Sequence, residues 1–164
     1  MRLTFLSGRV GITGANGYIA IMSTLPSFDD ISDNLGFLDD WEDRYRYLIE
    51  LGGMLDPLTD SERSPANKVS GCVSQVWLVA TSQPSPDGTI VHFRGDSDAM
   101  IVKGLAAALI ALYSGKPARF VVDTDAVARL DALGLREHLT SQRSNGLVAM
   151  VNRMRAEARS VLSS

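Results

Sequence analysis

Apolar residues recur along this chain with two different periods, and the change of period divides it into segments. Trp41, Tyr45, Leu48 and Gly52 share one helical face, while Glu42, Asp43, Arg46 and Glu50 fall elsewhere. That spacing predicts a helix capped by Asp39 or Asp40 and ended by Gly52 and Gly53. A shorter helix is predicted over 28–37, and an irregular stretch over 54–65. The period then drops to two. Gln75, Trp77, Val79 and Thr81 would line one face of a strand, with Val76, Leu78 and Ala80 on the other. The proline- and glycine-bearing run 83–88 is turn chemistry, and 89–94 alternates as a returning strand, so an antiparallel hairpin is expected. Residues 67–70 are expected to add a short third strand.

Helical spacing resumes at 99–113, where the run is apolar on nearly every side; a helix of that kind is buried all round. Ser97 is expected to cap it, with Asp96 and Asp98 at the positive end of its dipole. Gly104 and alanines 106, 107, 108 and 111 would let neighbours approach closely, and 114–117 should stop it. An extended piece over 120–122, a helix over 125–132, a loop through Arg143 and a last helix over 144–162 follow. In that last helix Leu147, Val151, Met154, Ala158 and Val161 form the expected buried seam, with Arg153, Arg155 and Arg159 away from it.

The first segment differs. Gly11, Gly14 and Gly17 form a Gly-x-x-Gly-x-x-Gly run after a short apolar stretch. Such a turn can bring backbone amides to a pyrophosphate, but a dinucleotide fold also needs a helix and a second parallel strand carrying an acidic residue. No such pattern follows. Residues 1–24 are expected to be a leader outside the fold, and 25–164 a single domain.

Composition narrows the function. The chain has 164 residues, 45% hydrophobic and 21% charged, and a net charge of −3, too mild to advertise a nucleic-acid or membrane partner. Its longest apolar stretch, 99–113, is interrupted by Lys103 and Gly104 and falls short of the ~20 residues that span a bilayer. No secretory pattern precedes it, so the expected location is the cytoplasm.

Cys72 is the only cysteine. One thiol closes no internal disulfide and builds no Cys-rich metal or cluster site. His92 and His138 show no metal-ligand spacing to it, so no metal is expected. The small or polar neighbours Ser70, Gly71 and Ser74 suit an accessible loop tip, although free cysteine is often simply a small buried hydrophobe. A Cys–His hydrolase would need His92 or His138 as base, and neither sits in a segment resembling such a site.

Four blocks in register carry a more specific signal. They are Trp41-Glu42-Asp43-Arg44-Tyr45 with residues 48–52; Asn67-Lys68-Val69-Ser70-Gly71-Cys72-Val73-Ser74-Gln75-Val76-Trp77; Gly95-Asp96-Ser97-Asp98-Ala99 with residues 101–105; and residues 139–147 around Arg143. In these segments the chain resembles the SufE family of sulfur-acceptor proteins, which partner a cysteine desulfurase in iron–sulfur cluster assembly. The resemblance implies an α+β fold, SufE/IscU-like, with a small antiparallel sheet packed against helices and the cysteine on an exposed loop. It implies that Cys72 accepts persulfide sulfur from a SufS-type desulfurase and passes it to a downstream iron–sulfur scaffold complex. The protein would hold no cofactor of its own, pyridoxal phosphate belonging to the desulfurase. It places Gly71, Gln75, Trp77, Asp98 and Arg143 as residues that support the cysteine loop or meet the partner. Helix capping by Asp98 and a plain surface role for Arg143 remain open beside those assignments. So does a non-carrying regulator that docks on the desulfurase.

Overall fold

A computed structural model of the chain describes residues 25–164, together with two short strands in the segment ahead of them. Those strands, β1 (Gly11–Thr13) and β2 (Ile19–Ile21), pair antiparallel as a sheet of their own. A dinucleotide fold requires a helix and a parallel crossover there, so the pairing counts against that reading of the glycine run. Gly14, Gly17 and the rest of the expected leader lie outside the described residues.

Helix α1 (Phe28–Phe37) starts where Ser27 Oγ accepts the Asp30 N–H at 3.1 Å, with Asp29 and Asp30 in its first turn. Its spacing buries Phe28, Ile31 and Leu35. Helix α2 (Trp41–Gly53) follows, and its inward face is Leu48, Leu51 and Gly52. Trp41 and Tyr45, expected on that face, are only half-buried. The Trp41 ring stacks on the His138 ring at 4.4 Å.

The sheet has strand order β3-β4-β5, all antiparallel. β3 (Val76–Gln83) buries Val76 and Leu78, and it pairs with β4 (Ile90–Ser97) from Val76↔Ser97 to Gln83↔Ile90. β4 therefore runs three residues past the expected 94. Asp96 and Ser97 find backbone partners in the sheet, so Ser97 does not cap the next helix. Its hydroxyl instead donates to the Gln75 carbonyl at 2.8 Å and accepts the Ala99 N–H at 3.2 Å. The third strand is β5 (Lys116–Pro117), not 67–70; there only an isolated bridge joins Lys68 to Trp77.

Helix α3 (Met100–Tyr113) is the centre of the molecule, with eleven of its fourteen residues buried. It packs against α2, β4 and α6 (Ser141–Leu162). Each fully buried leucine, such as Leu105 or Leu109, contributes roughly 2 kcal/mol by leaving water. Its contact with α2 is closer than side chains would allow. A Cβ on Gly104 would be driven into the carbonyl of Leu48, and one on Gly52 would lie 2.9 Å from the Gly104 nitrogen.

Residues 120–122, expected as extended, lie inside the helix α4 (Ala118–Asp123). Its N-cap Pro117 has φ −58°, a pre-set turn into the helix that outweighs the β-branched pair Val121 and Val122. Helix α5 (Ala126–Asp131) is capped by Asp125, which accepts the Ala128 N–H at 3.1 Å. α6 begins at Ser141, three residues earlier than its periodicity suggests, because Thr140 Oγ1 accepts the Arg143 N–H at 3.2 Å. Arg143 is therefore in the first helical turn and not in a loop.

Two ion-pair groups fasten the irregular stretch 54–67 to β4. Arg94 grips Glu62 through two nitrogens at 2.6 and 3.1 Å, and the Thr59 N–H adds a bond at 2.9 Å. Together these hold the Glu62 carboxyl down at about 2. Asp96, 7% exposed, lies between Arg63 at 2.9 Å and Lys103 at 3.3 Å. Burial acts to raise its pKa, but the bonds from Arg63, the Ser97 N–H and Lys103 win and keep it below the usual carboxylate range. Among the described residues no helix is long and apolar enough to cross a membrane.

Candidate functional site

The cysteine loop is fixed at both ends. On the entering side, Val69 is buried and its N–H bonds the Val76 carbonyl at 2.8 Å, next to the Lys68–Trp77 bridge. On the leaving side, Asp98 Oδ1 accepts the Gln75 N–H at 3.0 Å, and the Asp98 N–H returns to the Gln75 carbonyl at 3.2 Å. Asp98 therefore bonds the exit of the loop, and Ala99 takes the cap position of α3. Trp77 sits in β3 opposite Asp96, half-buried, at the base of the same stem.

Between the stems the chain reverses at Gly71, whose φ of +91° is strained for any L side chain. A Cβ there would also press on the Ala149 methyl at 3.3 Å, so the turn lies directly on α6. Cys72 is half-buried, and its thiol donates to the Gly146 carbonyl at 3.6 Å. The sulfur lines a cavity of about 230 Å³. Ser74 of the loop, Val102 of α3, and Thr140, Gln142, Arg143 and Gly146 from the start of α6 complete most of its wall. Val73, which also lines it, is 73% exposed, and Met100 nearby at the start of α3 is 65% exposed, so apolar side chains stand in solvent on the loop and at the start of α3.

Of the residues expected at the site, Cys72 and Arg143 share the cavity, while Gly71, Gln75, Trp77 and Asp98 build the loop and its stem. His92 and His138 line no part of the cavity. Thr140, Gln142 and Gly146 lay in a matched block without being singled out for the site, and Ala149 lay outside every block. Arg143, Gly146, Ala149 and Arg153 follow at steps of three, three and four, so one stripe of α6 underlies the loop. A glycine one turn inside a helix start was the available signal, since it permits close backbone approach.

Burial pushes the Cys72 thiol above its ordinary range. The half-buried sulfur is held as the neutral S–H that its carbonyl bond requires. A folded pKa above the unfolded one means stability present at lower pH and lost as pH rises through the folded value. Alkylation of the free protein by iodoacetamide should accordingly rise with pH along a curve whose midpoint lies above the usual thiol pKa of about 8.5. A midpoint at or below that of a simple thiol, measured in parallel, would contradict the buried geometry.

The chain as a whole is similar to known proteins in three respects. Residues 29–158 match the family model described as SufE: Fe-S metabolism associated domain. An uncharacterized SufE-like protein of Rhizobium etli is 54% identical over 135 residues, covering 82% of this chain and 91% of its own. A second, from Rhizobium meliloti, is 47% identical over 134 residues, covering 82% and 96%. The solution structure of a hypothetical protein from Thermus thermophilus superposes with a TM-score of 0.68 at 22% identity, over 84% of this chain and 96% of that one. That last likeness concerns the fold alone.

Proposed function

The chain belongs to the SufE family, associated with Fe–S metabolism, and on that premise we propose that Cys72 is a sulfur acceptor and carrier. The observation that carries this is a single thiol on a loop tied at its two ends, lining a cavity at the surface. The donor is the persulfide on the active-site cysteine of a SufS-type cysteine desulfurase. The Cys72 thiolate attacks the terminal sulfur, the donor's S–S bond breaks, and its cysteine leaves as thiolate while Cys72 becomes the persulfide. No net oxidation occurs, and the step follows the rules of thiol–disulfide exchange.

Having one cysteine favours carriage. A second thiol nearby would attack the persulfide, expel sulfide and close a disulfide; this chain has none to do so. Its sulfur must go to another protein, here a downstream iron–sulfur scaffold complex in the cytoplasm. Pyridoxal phosphate chemistry stays on the desulfurase.

A second reading draws on the thiol's inward orientation and its bond to Gly146: the protein docks on the desulfurase and stimulates it without carrying sulfur. Intact-mass analysis after incubation with desulfurase and free cysteine separates the two. The carrier gains the mass of one sulfur at Cys72, reversible by reductant; the regulator gains nothing.

A further inference from the structure

We propose that Arg153 is a positioning residue for Cys72, holding the stalk of the cysteine loop against α6 so that the sulfur stays at its cavity; this rests on the carrier reading. Its guanidinium donates to two main-chain carbonyls across the molecule, Nη1 to Lys68 at 3.1 Å and Nη2 to Ala66 at 2.9 Å. Those residues lie four and six positions before the thiol. Nε donates to Glu157 at 2.9 Å, one helical turn on, which fixes the plane of the fork.

A surface ion pair at i,i+4 contributes only a few tenths of a kcal/mol. A fork aimed at two carbonyls is a different device, since charge-assisted bonds are stronger and their geometry is directional. Both acceptors belong to the backbone, so Arg153 fixes where the chain runs whatever its side chains. Other ties on this stalk are the Lys68–Trp77 bridge, the Val69 N–H bond, the bond from the Asn67 side-chain amide to the Glu62 carbonyl at 2.9 Å, and the short turns from the Asn67 and Lys68 N–H groups to Ser64 and Pro65. All of these reach β3 or the 54–67 stretch. Among the described residues, it is Arg153 whose hydrogen bonds join this stalk to α6, the helix that also supplies Gly146 and Arg143 to the cavity.

The test compares Arg153→Ala with Arg155→Ala. Arg155 also donates to a backbone carbonyl, that of Val122, on another flank of the same helix. Cys72 alkylation by iodoacetamide is followed across pH in the free protein, with thermal melts as a check on folding. Arg153→Ala should alkylate about fivefold faster at fixed pH, the size expected from losing one net hydrogen bond, and its midpoint should move down. Arg155→Ala should match the parent. With desulfurase present, Arg153→Ala should lose maximal transfer rate while its half-saturating concentration stays put. Arg153→Lys, which keeps the charge but not the fork, should fall between, and it carries the test if the alanine variant does not fold. A folded Arg153→Ala that alkylates like the parent, or an Arg155→Ala shifted equally, overturns the proposal. If the parent takes up no sulfur yet Arg153→Ala still alkylates faster, the carrier reading fails and the positioning role stands.

Discussion

Cys72→Ser should abolish sulfur uptake from the desulfurase completely while leaving the fold intact. The hydroxyl is smaller but keeps a donor for the Gly146 carbonyl, so the loop retains its anchor. The half-buried site also absorbs the swap at a cost of about 1 kcal/mol or less. The chemistry does not survive, because an alkoxide is not formed near neutral pH and oxygen does not accept sulfane sulfur by this exchange. Labelled cysteine and desulfurase, followed by non-reducing electrophoresis, read the result directly. Label retained by Cys72→Ser would end the assignment. Desulfurase turnover measured in the same mixture adds a second reading: full stimulation by the serine variant would favour the docking regulator.

Gly104→Ala should be the most destabilising small substitution in the described chain, by about 3 kcal/mol or more, at the upper end of what overpacking costs. The added methyl meets the Leu48 carbonyl, its carbon at 2.6 Å, and neither α2 nor α3 can yield alone. α3 is buried on every side, and α2 is tied at its other end by Arg44, which bonds the Leu38 carbonyl at 2.8 Å and the Leu133 carbonyl at 2.9 Å. Gly36→Ala is the control, since nothing lies within 4 Å of its Cβ and it stands inside α1. That change should stabilise by up to about 1 kcal/mol through helix propensity. Urea unfolding of the two variants, with slopes unchanged, checks both signs.

How much of this was legible in the sequence depends on how far apart the interacting groups are. α1 matches its expected bounds because its cap and its apolar spacing lie within one another's reach. The buried character of α3 was plain from composition, and so was the need for Gly104 at a close approach. The α+β architecture with a small antiparallel sheet, implied by the resemblance, is what the chain adopts. Long-range pairing was not visible. The extra length of β4 comes from its pairing with Val76, Trp77 and Leu78, some twenty residues away, and β5 exists only because Ile90 and Val91 lie beside Lys116 and Pro117. The same limit hid much of the site. Arg153 looks in sequence like any solvated arginine on the polar side of a helix. Only the fold brings the Lys68 carbonyl to it, 85 positions away. Arg143 was singled out, but the cap that draws it into α6 was read as loop.

The acceptor of the Cys72 thiol is a peptide oxygen, so the contact depends on the proton that the sulfur carries. Only an S–H has a proton to offer it; once the sulfur is ionised, or carries a charged second sulfur, two electron-rich atoms face each other and the contact turns repulsive. On the carrier reading, a persulfide would thus unfasten its own berth, and no side-chain mutation at position 146 could remove the oxygen responsible.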